Sequence, residues 1–384
     1  MPDPIPFHKP SITEAEIDAV SAVLRSGWLT TGPQARALEA AVIKYVGGDA
    51  PARPLHAVAL SSCTAALHLS LLAAGVGPGD EVVTSPYTFV STGETILYLG
   101  ATPIFVDVEP STKNLDPTRL ESAIGKKTKA IVMISIAGHP CRSAEIMEIA
   151  RAHKIPVIED AAHALTARIG DAPVGTQADI TCFSFYATKG VTAGEGGMVV
   201  TAREDWAARI RRLCLHGLSD AAWSRYGKGG WWEYDVTELG YKYNLTDIQA
   251  ALALAQMGRA EAMRARREAI ARRYSEAMGA FPAVRVPQVA PGVRHAWHLY
   301  QLSLTLRDAL ATSLRDHRIG TSVHFKPLHL FPWYQERLGV KPGQFPEAER
   351  CFAETLSLPI YPDLSDAQVD RIVERIRAHR GGAR

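Results

Sequence analysis

The sequence of 384 residues predicts an α/β fold, a mostly parallel sheet with helices on both faces, followed by a smaller C-terminal α+β lobe. Two observations predict it. Short apolar runs of β character alternate with helical runs from residue 56 to residue 201, the pattern of a sheet covered on both sides. After Ala202 that alternation stops, and an aromatic loop and long helical stretches take over. The length accommodates one large core with a smaller companion.

The first helix begins after Thr13, with Glu16 as its capping-box partner, and carries Ile17, Val20 and Leu24 on one face until Gly27 stops it. A second helix is expected over 35–45. Strands follow at 56–60, 81–84, 104–108, 130–134, 157–159, 180–185 and 198–201, with helices at 64–74, 91–99 and 144–153 between them. Helices at 206–215 and 246–278 flank an aromatic loop at 223–243. The long helix carries the basic run Arg264, Arg266, Arg267, Arg272 and Arg273. Glu261 and Glu268 stand one helical turn from Arg264 and Arg272, which favours a solvated, salt-bridged face over a phosphate site. Short strands at 300–304 and 322–325 come next, then a last helix with Val369, Ile372, Val373 and Ile376 on one face. The tail 379–384 is expected to fray. These features divide the chain into a large α/β domain, residues 1–280, and a small α+β domain, residues 281–384.

Composition excludes several classes. Hydrophobic residues at 47% and charged residues at 21% describe a globular chain, neither disordered nor fibrous. A formal charge of +2 offers no basic field for nucleic acid. The longest apolar stretch, 65–76, is interrupted by His68 and Ser70 and is too short to insert across a membrane. The proline-rich first ten residues lack the apolar core of a secretory leader. Five widely spaced cysteines, Cys63, Cys141, Cys182, Cys214 and Cys351, form no CxxC pair and are expected to be reduced, buried thiols of a cytoplasmic protein.

Three segments carry chemistry. At Leu60-Ser61-Ser62-Cys63-Thr64-Ala65-Ala66, small residues join a strand to a helix, leaving backbone N–H groups and the Thr64 hydroxyl open at the positive end of the helix dipole. That is a seat for phosphate, or simply a capped helix. At Pro156-Val157-Ile158-Glu159-Asp160-Ala161-Ala162-His163, an apolar strand ends in two acids where α/β sheets bind ligands. Asp160 there either keeps a heterocyclic nitrogen protonated or caps the next turn, and His163 either faces the ligand or packs in the core. At Ile180-Thr181-Cys182-Phe183-Ser184-Phe185-Tyr186-Ala187-Thr188-Lys189-Gly190, a strand leads to a lysine and then to the glycine-rich turn Gly194-Glu195-Gly196-Gly197. A desolvated lysine has a lowered pKa and can form a Schiff base, whereas an ordinary surface lysine has neither property.

One cofactor requires all three segments in this order. Pyridoxal phosphate (PLP) needs a phosphate cradle, a carboxylate at its ring nitrogen and a lysine for its aldehyde. Phe89, following the strand at 81–84, is placed to stack on the ring, core packing being its other reading.

With these motifs in order, the chain resembles the sugar aminotransferases of the DegT/DnrJ/EryC1/StrS family, which are fold type I PLP enzymes. The resemblance runs nearly end to end. It is carried by Ser26-Gly27-Trp28-Leu29-Thr30-Thr31-Gly32-Pro33, by the Glu159–His163 and Ser184–Lys189 segments, by Gly240-Tyr241-Lys242-Tyr243-Asn244 and by His295-Ala296-Trp297-His298. Within the family it looks most like enzymes that aminate C4 of a 4-keto nucleotide sugar, especially the UDP-4-amino-4-deoxy-L-arabinose aminotransferases of lipid A modification. The resemblance implies ping-pong transfer of an amino group from L-glutamate or glutamine to a nucleotide-linked keto sugar through PLP and pyridoxamine phosphate (PMP). It implies that Lys189 is the Schiff-base lysine and proton carrier, Asp160 the pyridine-nitrogen partner and Phe89 the stacking residue. His163 would lie near the ring, and Cys63, Thr64 and Ser184 would hold the phosphate. Asn244 would reach the phosphate of a neighbouring subunit, which implies a homodimer with shared active sites and an interface loop at 217–245. Trp28, Thr30, Tyr186, His298 and His324 are implied as substrate contacts.

Cys63 departs from the Gly or Ala of many relatives, but its backbone donor is unaffected. A subset of the family dehydrates at C3 and carries histidine in place of the lysine. Lys189 argues for transamination, because an imidazole cannot form the Schiff base.

Other signals are weaker. Gly75-Val76-Gly77-Pro78-Gly79-Asp80 follows a helix and precedes a strand, the reverse of a dinucleotide fingerprint. His295 with His298, or His324 with His329, lacks a carboxylate at metal-ligand spacing, so no metal is expected. Trp223 to Trp232, with Arg225 and Lys228, offers aromatic and cationic groups either to a nucleotide diphosphate or to an interface. A cyclitol aminotransferase of the same family and a non-catalytic PLP-bound regulator remain as alternatives.

Overall fold

The computed structural model describes residues 3–48, 53–219, 234–279, 281 and 283–381. Arg225, Lys228 and the aromatic segment up to residue 233 lie outside the described residues, as do the last three residues of the tail.

Seven strands form the central sheet. In chain order they are β1 (His56–Leu60), β2 (Glu81–Thr84), β3 (Thr102–Phe105), β4 (Thr128–Ile134) and β5 (Val157–Asp160), then β8 (Ile180–Ser184) and β9 (Gly197–Thr201), placed side by side as β1-β9-β8-β5-β4-β2-β3. The short β6 (Arg168–Ile169) and β7 (Ala172–Pro173) pair instead with β10 (Val293–Arg294) in a separate ribbon. Within the main sheet only β9 runs against its neighbours. The mostly parallel sheet expected from the sequence is therefore present. Its consequence is geometric: the chain leaves β1, β2, β4, β5 and β8 at one edge, and whatever residues follow those strands meet there.

Strand alternation feeds a core on each face. Met198 and Val200 of β9 join Phe183 and the Leu38 and Val42 side chains of helix Pro33–Gly47, while Val199 points the other way, to Ile158, Cys182, Leu67 and Leu69. Because both faces are covered, the strands read as continuous apolar runs rather than as an alternation.

Helix Glu14–Ser26 has the expected capping box of Thr13 and Glu16, and it ends at Gly27 with φ of 73°. Its apolar stripe, however, is not the buried face. Ile17 and Leu24 are exposed, whereas Glu16 and Val23 are buried. A polar clasp decides the orientation: Glu16 Oε1 accepts from Arg259 Nη1 at 2.8 Å, and Arg259 also donates to Ser11 Oγ. Holding Glu16 inward turns the stripe out, and Ile12, Trp28 and Leu29 on either side of the helix are exposed as well.

The helical stretch expected over 246–278 is two helices, Asp247–Met257 and Ala260–Met278, separated at Gly258. Arg264 pairs with Glu261 and Glu268 as the spacing predicted, and Arg266 and Arg273 reach Asp366. Arg267 departs from the solvated face, since it is buried and donates to the Ile360 carbonyl at 2.5 Å. The strand expected at 104–108 is shifted to β3, and that at 322–325 reduces to a single bridge between Ser322 and Ser357.

The small lobe is built on the antiparallel pair β11 (Tyr300–Ser303) and β12 (Thr355–Leu358) with helices Arg307–Asp316 and Asp366–Gly381. Its core also takes in Ile5 from the N-terminal segment and Ile270, Tyr274 and Met278 from helix Ala260–Met278. All five cysteines are free thiols, and four of them are buried. Among the described residues, no helix is long and apolar enough to cross a membrane.

Gly197 opens β9 directly beneath the turn that follows β1. A Cβ added there would lie 2.3 Å from the Ser62 carbonyl oxygen. Gly197→Ala is expected to displace that turn and cost about 1–3 kcal/mol in denaturant unfolding; an unchanged midpoint would contradict the close approach.

Candidate active site

The carboxyl edge of the sheet opens into a cavity of about 600 Å³. Much of its wall comes from segments that leave the parallel strands. After β1, Ser62 caps helix Cys63–Ala73 by accepting the Ala65 N–H at 3.0 Å, and Cys63 and Thr64 in the first turn line the cavity. Ser184, at the end of β8, stands beside them. This first turn concentrates N–H groups and hydroxyls at the positive end of a helix, a seat for phosphate.

Asp160 closes β5. Its Oδ2 accepts from Thr92 Oγ1 at 2.9 Å and its Oδ1 from the Ala162 N–H at 3.2 Å. Burial raises its pKa, while those two hydrogen bonds and the nearby Lys189 charge oppose the rise. Lys189 sits half-buried on the loop after β8. Loss of hydration pulls its ammonium down to about 8, against the opposing influence of Cys63 and Asp160.

Four imidazoles complete the lining. His163 accepts the Ala137 N–H at Nδ1 and packs its ring 4.3 Å from that of His298 and 5.9 Å from that of Phe325. His298 is buried, and its Nδ1 has no hydrogen-bond partner. His324 holds its Nδ1 at 2.9 Å from Ser357 Oγ, and His8 Nε2 bonds the Ala187 carbonyl at 3.1 Å. Burial is the largest cause lowering all four, His8 and His324 to about 4 and the other two well below the usual value. Phe89 presents an exposed ring at the mouth, and Tyr186 stands there too.

Three expected site residues lie elsewhere on this chain. Trp28 and Thr30 are exposed and do not line the cavity, and neither does Asn244. Instead they form a second cluster. Asn244 Nδ2 donates to Thr31 Oγ1 at 2.7 Å, and Trp28 Nε1 donates to the Thr31 carbonyl at 3.2 Å. Asp247 secures this cluster by accepting the N–H groups of Gly32, Gln34 and Ala35, which caps helix Pro33–Gly47.

Sequence reasoning missed His8, Thr92 and Phe325. Thr92 was within reach, because it lies one helical turn after Phe89 and so shares its side of the helix. His8 and Phe325 gave no local signal, being brought to the cavity from the two ends of the chain.

The donor set fits PLP. The helix terminus suits its phosphate, Asp160 its ring nitrogen and Lys189 its aldehyde. On a parallel sheet with this strand order, such a site defines a fold type I PLP enzyme. Comparison with known proteins agrees. Residues 10–377 match the profile of the DegT/DnrJ/EryC1/StrS aminotransferase family. The spore coat polysaccharide biosynthesis protein SpsC of Bacillus subtilis is 46% identical over 97% of this chain and 96% of its own length. Spr1654 of Streptococcus pneumoniae, named a sugar aminotransferase and solved in a PMP form, superposes with a TM-score of 0.91 at 34% identity over 98% of both chains. Its PLP form gives 0.90 at 33% identity. Helicobacter pylori PseC, an aminotransferase in pseudoaminic acid biosynthesis, gives 0.90 at 27% identity over 98% of this chain and 99% of its own.

The chain belongs to the DegT/DnrJ/EryC1/StrS family: it is a sugar aminotransferase that uses PLP and PMP.

Lys189→Ala is expected to abolish turnover and the visible absorbance of lysine-bound PLP; a coloured, active variant would contradict the assignment. Glu159, adjacent to Asp160 on β5, points to the opposite face and accepts from Ser135 Oγ at 2.6 Å. Burial lifts its carboxyl to about 7. A pKa raised above the unfolded value means that stability is fully present at low pH and is lost as pH rises toward and through 7. Glu159→Gln removes that loss, so it should stabilise the protein by up to about 3 kcal/mol at pH 8 and by little near pH 4.5. Denaturant midpoints at the two pH values measure the difference, and equal gains at both would refute the charge argument.

Proposed function

We propose that this aminotransferase moves the amino group of L-glutamate, or of L-glutamine, to the keto carbon of a nucleotide-linked sugar, at C4, in two alternating half-reactions. The observation that carries the reading is the Lys189 amine sharing one cavity with the Asp160 carboxylate, among imidazoles held neutral. When bound, PLP supplies an electron sink for charge developing at the donor's α-carbon. Lys189 supplies the mobile proton. With the pKa lowered to about 8, a larger fraction of its amine is free to act as a base near neutral pH, and the ammonium returns the proton as an acid. Asp160, steadied by Thr92, holds a proton on the ring nitrogen, and Phe89 offers a flat apolar face. The neutral lining of His163, His298 and His324 suits sugar hydroxyls, which need hydrogen-bond partners without a competing ion pair. Tyr186 at the mouth meets the same substrate.

The Trp28–Thr30–Asn244 cluster serves a second copy of the chain in this reading, with Asn244 at the partner's phosphate and the other two at its sugar. The exposed apolar side chains Ile12, Ile17, Leu24 and Leu29 at the N-terminal helix and its flanks support such a homodimer. The free thiols support a cytoplasmic location.

The test starts from the PMP form of the enzyme. Addition of UDP-linked 4-keto sugars should restore the PLP absorbance, free cyclitol ketones should not, and initial rates with glutamate should give parallel double-reciprocal lines. A response to cyclitol ketones alone would replace the nucleotide-sugar reading.

A further inference from the structure

Several buried polar groups outside the cavity converge on a single residue of its wall. The carbonyl oxygen of His324 accepts the Tyr87 hydroxyl at 2.6 Å and Gln301 Nε2 at 2.7 Å, which satisfies both of its lone pairs. The ring of the same residue is held by Ser357. Gln301 and Ser357 are directly opposed across β11 and β12, so their side chains leave the strand pair on the same face and grip one residue together. Lys113 Nζ approaches Gln301 Oε1 at 3.5 Å. Tyr87, Lys113, Gln301 and Ser357 are all buried, and none of them lines the cavity.

The two donors to that carbonyl come from different lobes. Tyr87 lies in the loop between β2 and the helix Val90–Tyr98, two residues before Phe89, and Gln301 lies on β11. A backbone bond from Leu328 N to the Pro86 carbonyl at 2.8 Å runs alongside. Phe325 follows His324 directly, and its ring lies 6.1 Å from that of Phe89 and stacks against His163. A shift at the His324 carbonyl therefore moves an imidazole and a phenyl ring at the cavity wall together.

We propose that Tyr87 and Gln301 are positioning residues for the transamination, fixing the His324 imidazole at the reactive cavity from opposite lobes. They act through His324 and touch neither cofactor nor substrate. The proposal rests on the aminotransferase reading only where activity is measured.

Two variants separate positioning from folding. Tyr87→Phe keeps the ring and loses the donor. Gln301→Glu keeps the shape and gives Lys113 a carboxylate partner, but has no N–H for the carbonyl. In the cofactor-free protein, the rate at which diethyl pyrocarbonate modifies His324, read by peptide mass spectrometry, should rise about tenfold in the double variant. Modification of the surface His153 should not change. In the holoenzyme, Tyr87→Phe should slow conversion of PLP to PMP by L-glutamate or L-glutamine about tenfold, yet slow it clearly less once His324→Ala has removed the ring. Unchanged labelling of His324, or equal slowing in both backgrounds, would overturn the proposal. If the parent enzyme consumes neither amino acid, the donor assignment fails and the labelling alone decides.

Discussion

Removing water from the Lys189 ammonium is the constraint on which the rest depends. An amine in bulk water stays protonated at neutral pH and is neither nucleophile nor base. Here the cavity wall lowers its pKa to about 8, while Asp160 and Cys63 keep the shift from going further. That balance needs several strand ends to meet at one place. The parallel sheet provides it, because β1, β5 and β8 release the capped helix terminus, the carboxylate and the lysine at a common edge. The reversed β9 contributes differently. Its first residue, Gly197, has no side chain and lets the Ser62 turn settle against the sheet.

Around that amine the electrostatics are sparse by design of the fold. His8, His163, His298 and His324 are each too desolvated to hold a proton readily, so the wall offers oriented dipoles rather than fixed charge. A carboxylate such as Asp160 can then act on the cofactor ring without being neutralised by an imidazolium. The same low polarity leaves the neutral His324 ring to be held by its hydrogen bond to Ser357 and by stacking on Phe7.

What could be read from the sequence was what neighbouring residues decide. Asp160 announces itself at the end of an apolar strand and Lys189 on the loop just after another, and the capping box of Thr13 and Glu16 is complete within four residues. Partners far away in the chain decided the rest. The stripe of Ile17 and Leu24 faces outward because Arg259, more than two hundred positions later, holds Glu16 inside. Segment 322–325 has strand composition, yet only Ser322 finds a backbone partner. Tyr87 and Gln301 look like ordinary core and strand residues until the fold places both at one carbonyl. Trp28 and Thr30 were implied as substrate contacts and Asn244 as a neighbour's phosphate contact, but their gathering into one cluster away from this chain's own cavity follows from Asp247 and Thr31, which no local pattern reveals.

The small-lobe core closes over Ile5, which bridges to Ile319 and packs among residues between 270 and 376. A nascent polypeptide emerging amino end first cannot bury that isoleucine until the ribosome has delivered nearly everything else. Ile5 thus depends for its burial on residues that follow it by more than 260 positions.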